Sequence, residues 1–193
     1  MPPNDLVERA RARYAEPHRR YHTFSHVVAC REARDAITKA TLPEVDLALL
    51  FHDAIYDPLR ADNEARSAEL LVEEGRRAWM HEALLQRAAA LVLATRLDAE
   101  PESEEACVVR DADLSILGAA PDVFDAYERD VRAEYAFADD ATFALGRAAI
   151  LEGILSRGEI YETKRGRALW EPRARANLER SLAALRARRL GGR

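Results

Sequence analysis

Histidine is rare in this chain and concentrated in one stretch. Only five of the 193 residues are histidines, and four of them lie between residues 18 and 52. His52 and Asp53 come directly after an apolar run at residues 47–51, where a polar pair is costly to bury unless something pairs with it. A divalent metal ion would pair with both groups, because imidazole and carboxylate are common metal ligands. The alternative is that His52 caps the end of a helix and Asp53 is exposed.

A second apolar segment is interrupted by acidic residues in the same way. Asp111 and Asp113 interrupt the mainly apolar segment CVVRDADLSILG at residues 107–118. Two positions apart on a helix, they point about 200° apart, so only one of them can face a given site. One metal ion shared with His52 and Asp53 would offset the cost of burying that carboxylate. His26 lies four residues after His22, so the two share a helix face if their helix begins early enough.

The elements that must position these residues are helices. Ala, Leu, Arg and Glu are abundant, Gly and Pro number eight each, and no segment alternates as a strand does. Apolar periodicity and helix-end signals predict one all-α domain over residues 1–193. The predicted helices are at about residues 3–15, 23–40, 43–56, 62–79, 80–95, 103–117, 121–136, 139–156 and 170–189. The helix at 43–56 should be the most buried.

Composition and charge narrow the classes of protein. A net charge of -5 argues against a stable nucleic-acid complex, although a nucleotide substrate stays compatible because a bound metal adds local positive charge. Cys30 and Cys107 form no CxxC motif, and we expect both to be small buried residues. No signal-peptide core or membrane-spanning run is present, so no membrane partner and a reducing cytoplasm are expected.

An ordered set of sequence blocks resembles a known family. The blocks span residues 21 to about 178 and read YHTFSH, FHDAIYDP, DNEARSAEL, ATR, DADLSILG, EY, GR, IYET and ARANL. Their order is similar to that of the HD-domain superfamily, whose signature is His, then His-Asp, then Asp. The chain resembles in particular a family of metal-dependent HD phosphohydrolases of similar length.

This resemblance implies an HD-domain helical bundle with a metal centre. The ligand set that it implies is His26, His52, Asp53 and Asp113, which selects Asp113 over Asp111. One divalent ion is expected, with Mn²⁺, Co²⁺, Ni²⁺, Fe²⁺, Zn²⁺ and Mg²⁺ all compatible. Two imidazoles among the ligands argue against a site built for Mg²⁺ alone, since Mg²⁺ favours oxygen ligands.

The chain departs from the pattern of its relatives at two places. Asp98 lies near the position where relatives often carry a histidine, and His81 is the only histidine between the two halves of the signature. One ion is therefore favoured, with Asp98 left as a weak ligand candidate, and a di-iron oxygenase lacks the histidines that it needs. Tyr56 stands where the HDxxED motif of (p)ppGpp hydrolases has Glu, so that mechanism does not transfer directly.

The proton-transfer and phosphate-binding candidates complete the predicted site. Glu64, in the DNEARS block, and Asp57, one turn after Asp53 on the predicted helix, compete as general base. Glu64 has the alternative role of favouring its helix start through the helix dipole. The predicted substrate contacts are Arg66, Arg96, Arg147, Tyr161 and Lys164. For the arginines the alternative is a solvated surface, and for Tyr161 it is core packing.

The expected function is metal-dependent hydrolysis of a phosphomonoester or phosphodiester bond. The expected partner is a small phosphorylated substrate, with nucleotides among the candidates, and the sequence predicts no oligomeric state. The alternative is a catalytically silent HD-fold module that binds a ligand or a partner without turnover, which the Tyr at position 56 and the missing histidines also allow.

Overall fold

The chain is all-α, as predicted. The computed structural model describes residues 2–191, and the side chains of residues 2–187. Within these residues it has nine α-helices, one 3-10 helix and no strand. The α-helices are α1 Asn4–Arg13, α2 Phe24–Ile37, α3 Pro43–Phe51, α4 Asn63–Arg77, α5 Glu82–Leu93, α6 Glu104–Asp113, α7 Pro121–Glu134, α8 Asp140–Leu155 and α9 Lys164–Gly191. None of the described helices is both long enough and apolar enough to cross a membrane.

The chain divides into two compact units, Met1–Asp113 and Leu114–Arg193. The first contains α1 to α6, and the second contains the 3-10 helix Leu114–Gly118 and α7 to α9. A single domain over residues 1–193 stays a prediction.

Helix α3 is the centre of the first unit. Residues 47–51 are all apolar and at most 1% exposed. Because the helix is apolar on every side, it has to be surrounded, and it packs against α1, α2, α4, α5 and α6. The prediction that this helix is deeply buried is confirmed.

The predicted end of α3 was wrong. The helix was expected to continue to Tyr56, but it ends at Phe51 with His52 as its C-cap. The N–H of Ala54 bonds back to the carbonyl of Phe51, and the chain then leaves the helix. Asp57 is therefore not one helical turn beyond Asp53 on a common face. We call residues 52–57 the His-Asp turn.

The second unit has its own core, built around α9. Helix α9 begins at Lys164 rather than at about 170 and packs against α8 and the 3-10 helix. Gly118 allows the 3-10 helix to approach α9 closely, since a Cβ at this position would lie 2.4 Å from the Cβ of Trp170. The largest fully buried side chains of this core are Leu117, Phe124, Leu151, Ile160 and Tyr161.

Candidate metal centre

Three helices of the first unit bring the predicted ligands together. His26 lies on α2, His52 caps α3, and Asp113 is the last residue of α6. Each of these helices packs against the other two. Asp53 follows His52 in the His-Asp turn. Residues that are up to 87 positions apart in sequence therefore meet at one point.

The donor atoms of these four residues form a tight group. His26 Nε2 lies 3.0 Å from His52 Nε2 and 3.1 Å from Asp113 Oδ1. Asp53 Oδ2 lies 3.0 Å from His52 Nε2 and 3.5 Å from His26 Nε2. His52 Nε2 is also 3.4 Å from Asp113 Oδ1. Both imidazoles are buried, at 5% exposure for His26 and 1% for His52.

These separations are compatible with donor atoms that share one metal ion. Ligands about 2.1 Å from one ion lie about 3.0 Å apart at right angles and about 3.4 Å apart at the tetrahedral angle. The five measured separations, 3.0 to 3.5 Å, span this range. The donor set, two imidazole nitrogens and two carboxylate oxygens, also suits a divalent transition metal. The residues present therefore fit such an ion.

The tautomer of His52 favours metal binding. Its Nδ1 donates a hydrogen bond to the carbonyl of Leu49, 3.1 Å away. In the neutral ring Nε2 then carries the lone pair, and this atom faces the other donors. A backbone acceptor of this kind is the usual outer contact of a metal-binding histidine.

The imidazoles and carboxylates of this group shift one another's pKa values. Burial opposes a charge on His52, but the carboxylates of Asp53 and Asp113 outweigh it and raise the pKa of His52 well above its ordinary value. Burial likewise opposes ionisation of Asp53, yet the facing histidines, His52 first, hold its pKa well below the usual range. His26 and His52 do the same to the pKa of Asp113. The group thus has the charge of a site that attracts cations.

Cys30 is a further neighbour of this group of donor atoms. From the sequence it was predicted only to be a small buried residue. Its side chain is buried, as expected, but Sγ lies 3.6 Å from both ring nitrogens of His26. His26, Cys30, His52 and Asp113 form a group that could hold a metal ion, with donor atoms all within 4.8 Å of one another. The spacing of four residues between His26 and Cys30 on one helix is the signal that could have indicated this.

Asp53 and Cys30 both lie beside the two imidazoles. Cys30 Sγ lies 3.6 Å from both ring nitrogens of His26, whereas Asp53 Oδ2 lies 3.0 Å from His52 Nε2 and 3.5 Å from His26 Nε2. Burial, with the nearby charges of Asp113 and Asp53, also raises the pKa of the Cys30 thiol well above its ordinary value. Asp53 stays the predicted fourth ligand, and Cys30 is the alternative that the structure adds.

Paired substitutions distinguish these two ligands. We expect Cys30→Ala to keep Co²⁺ binding and Asp53→Asn to lose most of it, because Asp53 Oδ2 lies within 3.5 Å of both imidazole Nε2 atoms. The measurement is a Co²⁺ titration followed by absorption. A thiolate-to-Co²⁺ charge-transfer band that disappears in Cys30→Ala would instead identify Cys30 as a ligand.

The backbone of the His-Asp turn is held by side chains from elsewhere in the first unit. Its carbonyls leave helix geometry and need other donors. Arg19 donates to the carbonyls of Asp53 and Ala54 at 2.7 and 3.1 Å. Ser67 Oγ donates to the carbonyl of Ile55 at 3.2 Å and accepts from its N–H at 3.0 Å. Neither Arg19 nor Ser67 was predicted from the sequence to contribute to the site.

An aromatic group borders the same turn. The His22 ring stacks on the Tyr56 ring, with centroids 4.1 Å apart, and the His18 ring lies parallel to Tyr56 at 6.3 Å. His18 Nε2 also donates to the carbonyl of Tyr56 at 2.9 Å. Tyr56, at the position of the Glu in HDxxED, thus takes part in ring stacking.

The start of α4 is bonded directly to the end of the His-Asp turn. The Asn63 amide accepts from the N–H of Asp57 at 3.1 Å and donates to its carbonyl at 2.8 Å. Glu64 lies three residues before Ser67, so the two are neighbours on one helix face, the face that contacts Ile55. The Asp57 carboxylate accepts from the N–H of Leu59 at 2.9 Å, which closes a local turn. The Asp57 carboxylate thus closes a local turn, and Glu64 lies one helical turn before Ser67 on α4.

The predicted phosphate contacts lie in two different units. Arg66 is exposed on α4. Arg96 is exposed and paired with both carboxylate oxygens of Asp98, through Nε at 3.0 Å and Nη2 at 2.8 Å. This pairing occupies the carboxylate of Asp98, which was the weak ligand candidate.

Arg147, Tyr161 and Lys164 belong to the second unit. Arg147 is buried, pairs with Glu128 and donates to the Tyr127 hydroxyl at 2.6 Å. Tyr161 is fully buried and donates to the carbonyl of Leu114 at 3.0 Å, the placement that the core-packing alternative describes. Lys164 is exposed at the start of α9. Substrate contacts by these residues stay predictions.

No family model matches the chain, and neither a curated protein nor a solved structure matches it. What the site can do therefore follows from its own donor atoms and their surroundings.

Proposed function

We propose that this protein is a metal-dependent phosphohydrolase of the HD-domain superfamily. One observation carries the proposal, namely that the donor atoms of His26, His52, Asp53 and Asp113 are spaced like the ligands of one metal ion. The order of these residues is also the HD signature. The sequence blocks around them support the same assignment.

The four ligands would hold one divalent ion at the point where α2, α3 and α6 meet. When bound, such an ion supplies Lewis acidity for a water nucleophile and neutralises charge that develops on phosphate oxygens. Glu64 accepts a proton from the attacking water, since the start of α4 is bonded to the His-Asp turn. Arg66, on the same helix, contacts the phosphate. Among the described residues of this unit, Arg96 is paired with Asp98, whereas no ion pair is found for Arg66.

The substrate class that we propose is a small phosphomonoester or phosphodiester, nucleotides included. The predicted compartment is the cytoplasm. A mixed nitrogen and oxygen shell favours Mn²⁺, Co²⁺, Ni²⁺, Fe²⁺ or Zn²⁺ over Mg²⁺.

Metal-dependent turnover tests the proposal. The protein is stripped with chelator, reloaded with each divalent ion in turn and assayed on nucleotides and generic phosphoesters. We expect turnover that depends on the ion and is lost again with chelator. Failure to bind any of the ions contradicts the metal centre. Tight binding of an ion without turnover on any phosphoester favours the silent ligand-binding module.

A further inference from the structure

Arg19 is a buried cation in contact with the candidate metal centre. Its side chain is 0% exposed, and the guanidinium carbon lies 5.2 Å from the centre of the Tyr14 ring and 5.5 Å from that of Tyr56. A charged group is rarely buried without a specific set of partners. The burial of the Arg19 charge therefore requires partners that compensate for the loss of water.

The partners of Arg19 are mostly backbone carbonyls of the segments that bear the ligands. It donates to the carbonyls of Asp53 at 2.7 Å and Ala54 at 3.1 Å, both in the His-Asp turn. It also donates at 3.0 Å to the carbonyl of His22, just before the helix that bears His26. Its remaining described partner is the carboxylate of Glu16, at 3.0 Å.

The geometry points to Arg19 as the positioning residue of this metal centre, a role that rests on the proposed function. The rigid fork of a guanidinium bonds several acceptors in fixed directions, which a lysine ammonium does not do. Through this fork the backbone of Asp53 is held in register with the segment that leads into α2. Arg19 thus fixes the distance between a carboxylate ligand after α3 and an imidazole ligand on α2.

Electrostatics alone gives the opposite expectation, which makes the inference testable. A buried positive charge repels a metal ion, so its removal should strengthen cation binding if charge were the only effect. A positioning role predicts weaker binding instead. Outer contacts that orient metal ligands typically change metal affinity by about 10–100-fold when they are removed.

The experiment is a Co²⁺ titration of the full chain, with wild type compared with Arg19→Met and Arg19→Lys. Arg19→Met removes the charge and the donors, and Arg19→Lys keeps the charge and most of the length. We expect both to bind Co²⁺ about 10–100-fold more weakly than wild type and to show a shifted Co²⁺ d–d spectrum. If Arg19→Met does not fold, Arg19→Lys alone carries the test.

Arg76→Met is the matched control. Arg76 is exposed on α4, and its described side-chain bonds go to the carboxylate of Glu82, outside the His-Asp turn. We expect it to keep the wild-type affinity and spectrum. A lower melting temperature with unchanged affinity and spectrum in the Arg19 variants would overturn the inference, since Arg19 would then act on stability alone. Tighter binding in Arg19→Met would overturn it in favour of simple charge repulsion. Wild-type protein that binds no Co²⁺ would overturn the proposed metal centre itself.

Discussion

The His52→Ala variant is expected to retain no divalent metal and to lose about 3–5 kcal/mol of unfolding free energy. His52 Nε2 is in contact with all three of the other proposed ligands, at 3.0 to 3.4 Å. Its removal leaves the carboxylates of Asp53 and Asp113 facing each other's charge with one cationic partner fewer. A ligand that binds only the folded chain also stabilises it, and that contribution is lost too.

Metal content by elemental analysis and thermal unfolding with and without chelator check this result. Chelator should lower the melting temperature of wild type and leave that of His52→Ala unchanged. His81→Asn is the control, because His81 is exposed and caps the N-terminus of α5, a role that Asn also fills. Normal metal content in His52→Ala would contradict the assignment of the site.

The second large effect is expected on turnover. Glu64→Gln should keep its metal and its melting temperature, yet lose about 10²–10⁴-fold in kcat, the usual contribution of a positioned general base. Glu64 is not among the metal-facing groups, and it lies on the face of α4 that contacts the His-Asp turn. Its removal should therefore leave the ligands in place.

Asp57→Asn is the comparison variant for this prediction. The Asn oxygen can still accept from the N–H of Leu59, so the local turn survives while the carboxylate is lost. If Asp57→Asn loses turnover with its metal retained while Glu64→Gln stays active, then Asp57 is the base. If both variants stay active, the reaction needs no protein base.

Most of the helices could be predicted from the sequence alone. Apolar periodicity predicted nine helices, and residues 2–191 contain nine, most with ends within a few residues of those expected. This succeeds because the period of the apolar pattern and the breaks at Pro and Gly are local properties of the chain. The last helix was the exception at its start, since α9 begins at Lys164, where a break was expected through Gly166.

Where α3 ends was decided by tertiary contacts. The sequence up to Asp57-Pro58 is compatible with a continuing helix, and propensity gives no reason to stop at Phe51. The helix ends there because the carbonyls of the His-Asp turn accept hydrogen bonds from side chains that are distant in sequence. These side chains belong to His18, Arg19 and Ser67. Such long-range partners have no signature in a local pattern.

The candidate ligands could be chosen from the sequence, but the sequence did not show that their side chains lie close together. Rare polar residues within apolar helices indicated His52, Asp53 and either Asp111 or Asp113, because burying such groups is costly without a shared partner. Only the packing of α2, α3 and α6 brings the carboxylate of Asp113 to within 3.1 Å of His26. Cys30 joins the group because it lies four residues after His26 on α2. Residue type and helical period can be read directly from the sequence. Distances between side chains on different helices depend instead on how the helix surfaces pack against one another.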